Sequence, residues 1–420
     1  MKNIIVKGPA LSRSGYGEQT RFALRALRAH EERFNILLMN MPWGHTGWIA
    51  DDTEERAWLD EIMIKTEHHI NNKAPIDISL QVTIPNEWER MAPINIGYTA
   101  GIETTKVSPQ WLEKAGTMEK IIVVSNHSKT VFNQTTYQAQ DPRSGQEFLF
   151  KNQTPIEVVN YPVRSLEQTP FDIELEYDFN FLTVAQMGPR KNIENTIKWF
   201  LEEFKDEEVG FVLKSNFANC STGDRLLCIE KIKNILDEHP NRKCKIYLLH
   251  GDLSLEQMNF LYCHPQIKSY ITLTHGEGFG MPIFESAYHG LPVIAPEWSG
   301  QCDFLHAPVI TGKRKKPKIR PLFCKVEYTI APIPPEVVWD GVLQPESQWC
   351  YPEEKSAKRC MKDMYNNYTK YIGFSKKLKT YILDNFTEEQ QLTKFANLIY
   401  QQENFEVEDW LSGLELEVHE

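Results

Sequence analysis

Short runs rich in Ile, Val, Leu and Phe alternate with longer amphipathic runs along most of this chain, and the alternation restarts once, after a break at residues 161–176. That order constrains the fold strongly. Parallel strands need a crossover between neighbours, so a parallel sheet with helices on both faces is written as strand, helix, strand, with strands apolar on both sides. In the first half the strand-like runs are 3–6, 34–39, 76–82, 94–98, 121–125 and 156–159. Between the first two lies a helical run over 18–30, with Phe22, Ala23, Ala26 and Leu27 on one face. The second half repeats the pattern at 179–185, 209–213, 245–249, 269–273 and 292–295. The break holds Pro162 and Pro170 and few periodic apolar residues, and it reads as a linker. With 420 residues the chain exceeds one hydrophobic core. The sequence therefore predicts an α/β protein of two tandem Rossmann-like domains, 1–165 and 177–385, followed by a helical tail at 386–420.

Composition excludes other classes. The formal net charge is −11, which argues against a protein that coats nucleic acid, where a basic face supplies most non-specific affinity. One local exception is the run Lys313-Arg314-Lys315-Lys316-Pro317-Lys318-Ile319-Arg320, read as a solvated loop inside a proline-rich insertion spanning 311–352. Eight cysteines form no C-x-x-C pair or zinc-type spacing, so reduced, mostly buried thiols are expected. His68 and His69 are neighbours rather than i, i+4 partners and make no helical metal site. No apolar run reaches about 18 residues, and the N-terminal apolar stretch is too short for a signal peptide. A soluble, cytoplasmic protein with no stable membrane span is the expectation.

The segment THGEGFGMPIFESAYHGLPVIAP at 274–296 carries the chemistry. A buried strand precedes it, Pro282 suits the first turn of a helix, and Gly290 suits its end. Backbone amides at Gly278, Phe279, Gly280 and Met281, in a small-residue loop at a helix start, form an anion cradle. Glu277 and Glu285 flank that cradle. Phosphate needs no carboxylate, so the two acids are suited to sugar hydroxyls, which donate to carboxylates. The segment resembles the E-x7-E motif of retaining glycosyltransferases with the GT-B fold (the group 1, family 4-like enzymes). The resemblance implies that Glu277 holds the transferred sugar, Glu285 the ribose, and Phe279 to Met281 the diphosphate or sugar. It also implies a central cleft between the domains, a C-terminal helix that crosses back to the first domain, and transfer to an acceptor hydroxyl with retained configuration. No D-x-D pair occurs, and the resemblance implies a metal-independent reaction without cofactors.

Further residues sit where strands end. Arg190 and Lys191, after the first strand of the second half, match the cations that clamp the donor diphosphate in the resembling family. Adjacent positions on a helix do not share a face, which predicts that one of them points away and that Arg190 is the working cation. The loop Gly15-Tyr16-Gly17 precedes a helix and is expected to offer backbone amides to phosphate or acceptor. Leu253 is the candidate for a backbone contact to the base, and Ser254 with Gln257 reads as a capping box. On the acceptor side the candidates are Glu103, His127 and His45, the last in the aromatic loop between Trp43 and Trp48. The expected partners are a nucleotide-diphosphate sugar and an acceptor whose class (carbohydrate, lipid, protein or modified nucleic acid) the residues leave open. A GT-B nucleotide-sugar epimerase or phosphorylase, or a nucleotide-sugar-binding protein without transfer, are the alternatives.

Overall fold

The computed structural model describes residues 1–44, 46–310 and 316–401. Its first half contributes strands β1 (Lys2–Gly8), β2 (Phe34–Asn40), β3 (Ile78–Val82), β4 (Ile94–Thr99), β5 (Lys120–Val123) and β6 (Ile156–Val158). These pair in the order β2-β1-β3-β4-β5-β6, all parallel. The second half contributes β7 (Asn180–Val184), β8 (Gly210–Lys214), β9 (Lys245–Leu249), β10 (Ile267–Ile271), β11 (Val293–Pro296) and β12 (Cys324–Val326). Their order is β9-β8-β7-β10-β11-β12, again parallel. Both sheets are Rossmann-like, and in each the strand order reverses beside the first strand. That switch point is where ligands of open α/β sheets collect.

Sequence pattern and burial agree closely. Ile4, Ile5 and Val6 are all buried, as strands covered on both faces require. The helix Gly15–Arg28 turns Phe22, Ala23, Ala26 and Leu27 to the core, and Ser14 caps its N-terminus by accepting from the Gly17 amide. Residues 161–175 have no regular element, yet the segment is anchored: Val163 N–H donates to the Phe386 carbonyl, and Asn259 Nδ2 donates to the carbonyls of Ser165 and Glu167.

The chain then returns to its first half. The helix Glu388–Ile399, opened by a Thr387–Gln390 capping box, packs Phe395 against Phe22 and Tyr98, with ring centroids 5.4 and 4.9 Å apart. Arg33 donates to Asn397 at 2.9 Å, and Lys120 donates to the Leu398 carbonyl.

The 311–352 insertion is more ordered than a solvated loop. Lys318–Pro321 pairs antiparallel with His306–Val309, so the described part of the basic run is strand, with Lys318, Ile319 and Arg320 exposed; residues 311–315 lie outside the described residues. A second hairpin pairs Tyr328–Pro332 with Gln348–Pro352. Its tip reaches the first half, where Thr105 N–H donates to the Gln348 carbonyl, Lys106 pairs with Glu346, and Val342 is buried in the cluster of Val107 and Trp111.

Candidate active site

The carboxyl edges of the two sheets meet, and the loops that follow their strands form one charged cluster. After β7, Pro189–Lys191 makes a single 3-10 turn, and Asn192 adopts a left-handed conformation (φ 53°) before the helix Ile193–Phe204. Asparagine tolerates that region better than most residues. Its Nδ2 donates to the Leu273 carbonyl at 3.1 Å, and the His275 amide donates to the Arg190 carbonyl at 2.8 Å. The cation turn is thereby fixed to the loop that carries Glu277.

The two cations converge. Arg190 Nη1 donates to Glu277 Oε2 at 3.1 Å, and Lys191 Nζ donates to Glu277 Oε1 at 2.6 Å, one cation on each carboxylate oxygen. The expectation that one of the pair points away is therefore wrong. It assumed helical geometry, whereas a 3-10 turn closed by a left-handed residue brings adjacent side chains to one point. Glu103, from the first half, lies 3.3 Å from Arg190 Nη2 and completes a four-residue ionic cluster across the junction of the two sheets.

The electrostatics follow from burial and pairing. Glu277 is 7% exposed; burial pushes its carboxyl up, but the Lys191 and Arg190 charges outweigh that and hold it at about 2. Burial lowers the Arg190 pKa, and the Glu103 and Glu277 carboxylates more than restore it. Lys191 ends below its usual range, through burial and then the neighbouring Arg190 charge, despite the Glu277 contact.

Backbone surrounds this cluster tightly. A Cβ added at Gly278 would lie 1.9 Å from the Ala100 carbonyl oxygen, so only glycine permits this approach of the two halves. Glu277 N–H donates to Ser299 Oγ at 2.9 Å, and Gly300 N–H donates to the Glu277 carbonyl. Gly280 (φ 92°) opens the helix Met281–His289 without a side-chain cap. Among the described residues the amides of Phe279, Gly280 and Met281 have no hydrogen-bond partner, as an anion cradle requires.

Glu285 lies on the same helix in a different setting. It accepts from the Tyr262 hydroxyl at 2.9 Å, and burial raises its carboxyl to about 7, against the opposing charge of Arg164. Arg164 also sits 3.3 Å from Glu18, on the first-half helix Gly15–Arg28. Glu18 and Arg164, a linker residue outside any periodic pattern, were not among the sequence candidates. Ser299 and Trp298 were also missed, although their place just after β11 was a positional signal.

The remaining candidates fare differently. Gly15, Tyr16 and Gly17 form the first helical turn rather than a free loop. The Gly17 amide is taken by Ser14, and the Tyr16 hydroxyl, 2.7 Å from Thr99 Oγ1, accepts from the Gly101 amide. Leu253 is half-buried in the loop after β9, whose Asp252 lies 3.8 Å from Arg13 of the first half. The capping box at Ser254 and Gln257 is present. His127 begins the helix Asn126–Gln134 and meets Trp298 edge-on at 4.9 Å. Its Nε2 is buried without a partner, and burial pulls its pKa down to about 4. His45 lies outside the described residues.

Two six-stranded parallel Rossmann-like sheets meeting at their carboxyl edges, with a C-terminal helix returned to the first, define the GT-B fold. No protein-family model and no curated protein matches the sequence. Solved structures match over nearly the full length. A sucrose-phosphate synthase from Thermosynechococcus elongatus superposes with a TM-score of 0.60 at 12% identity, over 95% of this chain and 98% of that one. A glycosyltransferase from Rickettsia africae gives 0.56 at 12%, over 99% of each chain. The Anabaena protein HepE, in complex with UDP and glucose, gives 0.55 at 12%, over 99% of this chain and 100% of that one. No helix among the described residues is long and apolar enough to cross a membrane.

Proposed function

We propose that this chain is a retaining glycosyltransferase that moves a sugar from a nucleotide-diphosphate donor to an acceptor hydroxyl without a metal. The observation that carries the reading is the convergence of Arg190 and Lys191 on Glu277 where the carboxyl edges of both sheets meet. Two fixed cations beside three unpartnered backbone amides suit a diphosphate, on which charge grows as the glycosidic oxygen leaves. In this reading the diphosphate takes up Arg190, Lys191 and the amides of Phe279 to Met281. Glu277 then turns to hydroxyls of the sugar, Glu285 holds the ribose, and the Leu253 backbone contacts the base. The solved structure of HepE in complex with UDP and glucose, which shares this fold, supports the class of donor.

The chemistry is a front-face displacement. The acceptor oxygen bonds to the anomeric carbon, the bond from that carbon to the diphosphate oxygen breaks, and the acceptor proton passes to the departing diphosphate. Glu103 and His127 border the acceptor side, one within reach of Arg190 and the other with a free ring nitrogen. The 311–352 insertion, which docks on the first half, is the proposed selector of the acceptor, whose class stays open. The test is to incubate the chain with UDP-, GDP- and ADP-sugars in the presence of a chelator and measure nucleoside diphosphate release, with anomeric configuration read by proton NMR. Release that survives chelation, with retained configuration and loss in Arg190→Ala, is expected. Absence of release and of binding for all these donors refutes the reading.

A further inference from the structure

A second cluster of chemically active side chains lies on the opposite arm of the second sheet. Asp224 and Cys228 occupy i and i+4 of the helix Thr222–Asp237, and therefore share a face. His250, the first residue after β9, packs onto that face. Asp224 Oδ1, Cys228 Sγ and His250 Nε2 all lie within 4.8 Å of one another, with 2.9 Å between His250 Nε2 and Asp224 Oδ1 and 3.7 Å between Cys228 Sγ and the same oxygen. The side chains of His250 and Asp224 are 3% and 6% exposed, and Cys228 is fully buried.

We infer that Asp224, Cys228 and His250 form a binding site for a divalent transition-metal ion, zinc by the chemistry of the donor set. Zinc takes oxygen and nitrogen ligands at about 2.0–2.1 Å and sulfur at about 2.3 Å in a tetrahedron, which separates neighbouring ligands by roughly 3.3–3.6 Å. The two separations from Asp224 straddle that range and the third stays within 4.8 Å, so side-chain adjustments seat an ion. The carboxylate is already oriented for it. Asp224 Oδ2 accepts from the amides of Ala218 and Asn219 at 2.7 and 3.1 Å, and Oδ1 accepts from Phe217 at 3.0 Å, the outer hydrogen bonds that fix a metal-bound carboxylate. Cys228 Sγ and His250 Nε2 both face the same Asp224 oxygen, so the three donor atoms converge on one point.

The ligand set is Asp224, Cys228 and His250, assembled by a helix and a strand end rather than by paired cysteine motifs. Binding replaces the His250–Asp224 hydrogen bond by two bonds to the ion and releases the Cys228 thiol proton to solvent. With three protein ligands, water completes the tetrahedron, and the burial of all three side chains closes the position to larger molecules. The site ties the helix Thr222–Asp237 to the segment that continues into Leu253.

The test uses the full chain. Metal content is measured by mass spectrometry after expression with added zinc. The metal-free chain is then titrated with Co²⁺, whose thiolate complexes absorb in the near ultraviolet by charge transfer. About one equivalent of zinc and a saturable charge-transfer band are expected. His250→Gln should weaken Co²⁺ binding at least about 10-fold, the usual scale for losing a ligand or its support. Cys228→Ser should abolish the band, and Cys263→Ser, at an exposed thiol elsewhere, should leave it intact. The measurement on the unaltered chain needs no variant to fold: substoichiometric zinc with no cobalt–thiolate band overturns the site. An undiminished band and affinity in Cys228→Ser overturns the assignment of the thiol ligand.

Discussion

Glu277 and Glu285 belong to one motif, yet their surroundings push them in opposite directions. Glu277 stands between two cations and is held at about 2, while Glu285 faces a tyrosine hydroxyl in a buried site and is raised to about 7. Both start from an ordinary value of 4.5. The sign of their effect on stability therefore differs. The Glu277 pairing stabilises the fold above about pH 4.5 and that contribution is lost as pH falls through about 2; burial of Glu285 costs stability progressively as pH rises from 4.5 through about 7. A single helix start thus presents one carboxylate that is always charged near neutrality and one whose charge depends on conditions. The lesson is that equal spacing in sequence does not confer equal chemistry.

The sharpest way to break this contrast is to remove the permanently charged member. Glu277→Gln leaves two half-buried cations with only Glu103 as counter-charge, and should lower transfer efficiency about 100-fold, consistent with the loss of charged hydrogen bonds worth about 1.5–3 kcal/mol. Unchanged efficiency would remove Glu277 from the site. Next in size, Arg190→Ala and Lys191→Ala should each weaken nucleoside-diphosphate affinity about 20-fold by calorimetry, because each cation contacts its own carboxylate oxygen. A wild-type affinity for either variant would show that its contact with Glu277 is only structural. The smallest effect separates the second glutamate: the donor KM should rise by up to about 10-fold as pH falls from about 8 to about 6, as Glu285 takes up a proton. Glu285→Gln should have a raised, pH-flat KM; a retained pH dependence would assign the titration to another group.

Much of the architecture was legible in sequence because it rests on periodicity. The alternating strands, the buried face of Gly15–Arg28 and the capping box at Ser254 follow from local patterns that tertiary packing reinforces. The helix start after Gly280 was legible because glycine and proline have few other uses there. What escaped depends on backbone detail or distant contact. The convergence of Arg190 and Lys191 turns on one left-handed asparagine, and the Gly17 amide is lost to a cap one turn earlier. Arg164 lies in a segment with no period, and the insertion's docking on Thr105 and Trp111 is a tertiary event. The Asp224–Cys228–His250 cluster was invisible to motif spacing because His250 reaches the helix of the other two from a separate element.

The central claim is that Arg190 and Lys191 form a diphosphate clamp served by Glu277. Isothermal titration of UDP, GDP and ADP into the chelator-treated chain and into an Arg190→Ala/Lys191→Ala double variant tests it most directly. Saturable binding of at least one of these diphosphates by the parent, reduced at least about 100-fold in a double variant with an unchanged far-ultraviolet spectrum, is the predicted result. Binding of equal strength to both proteins would contradict it.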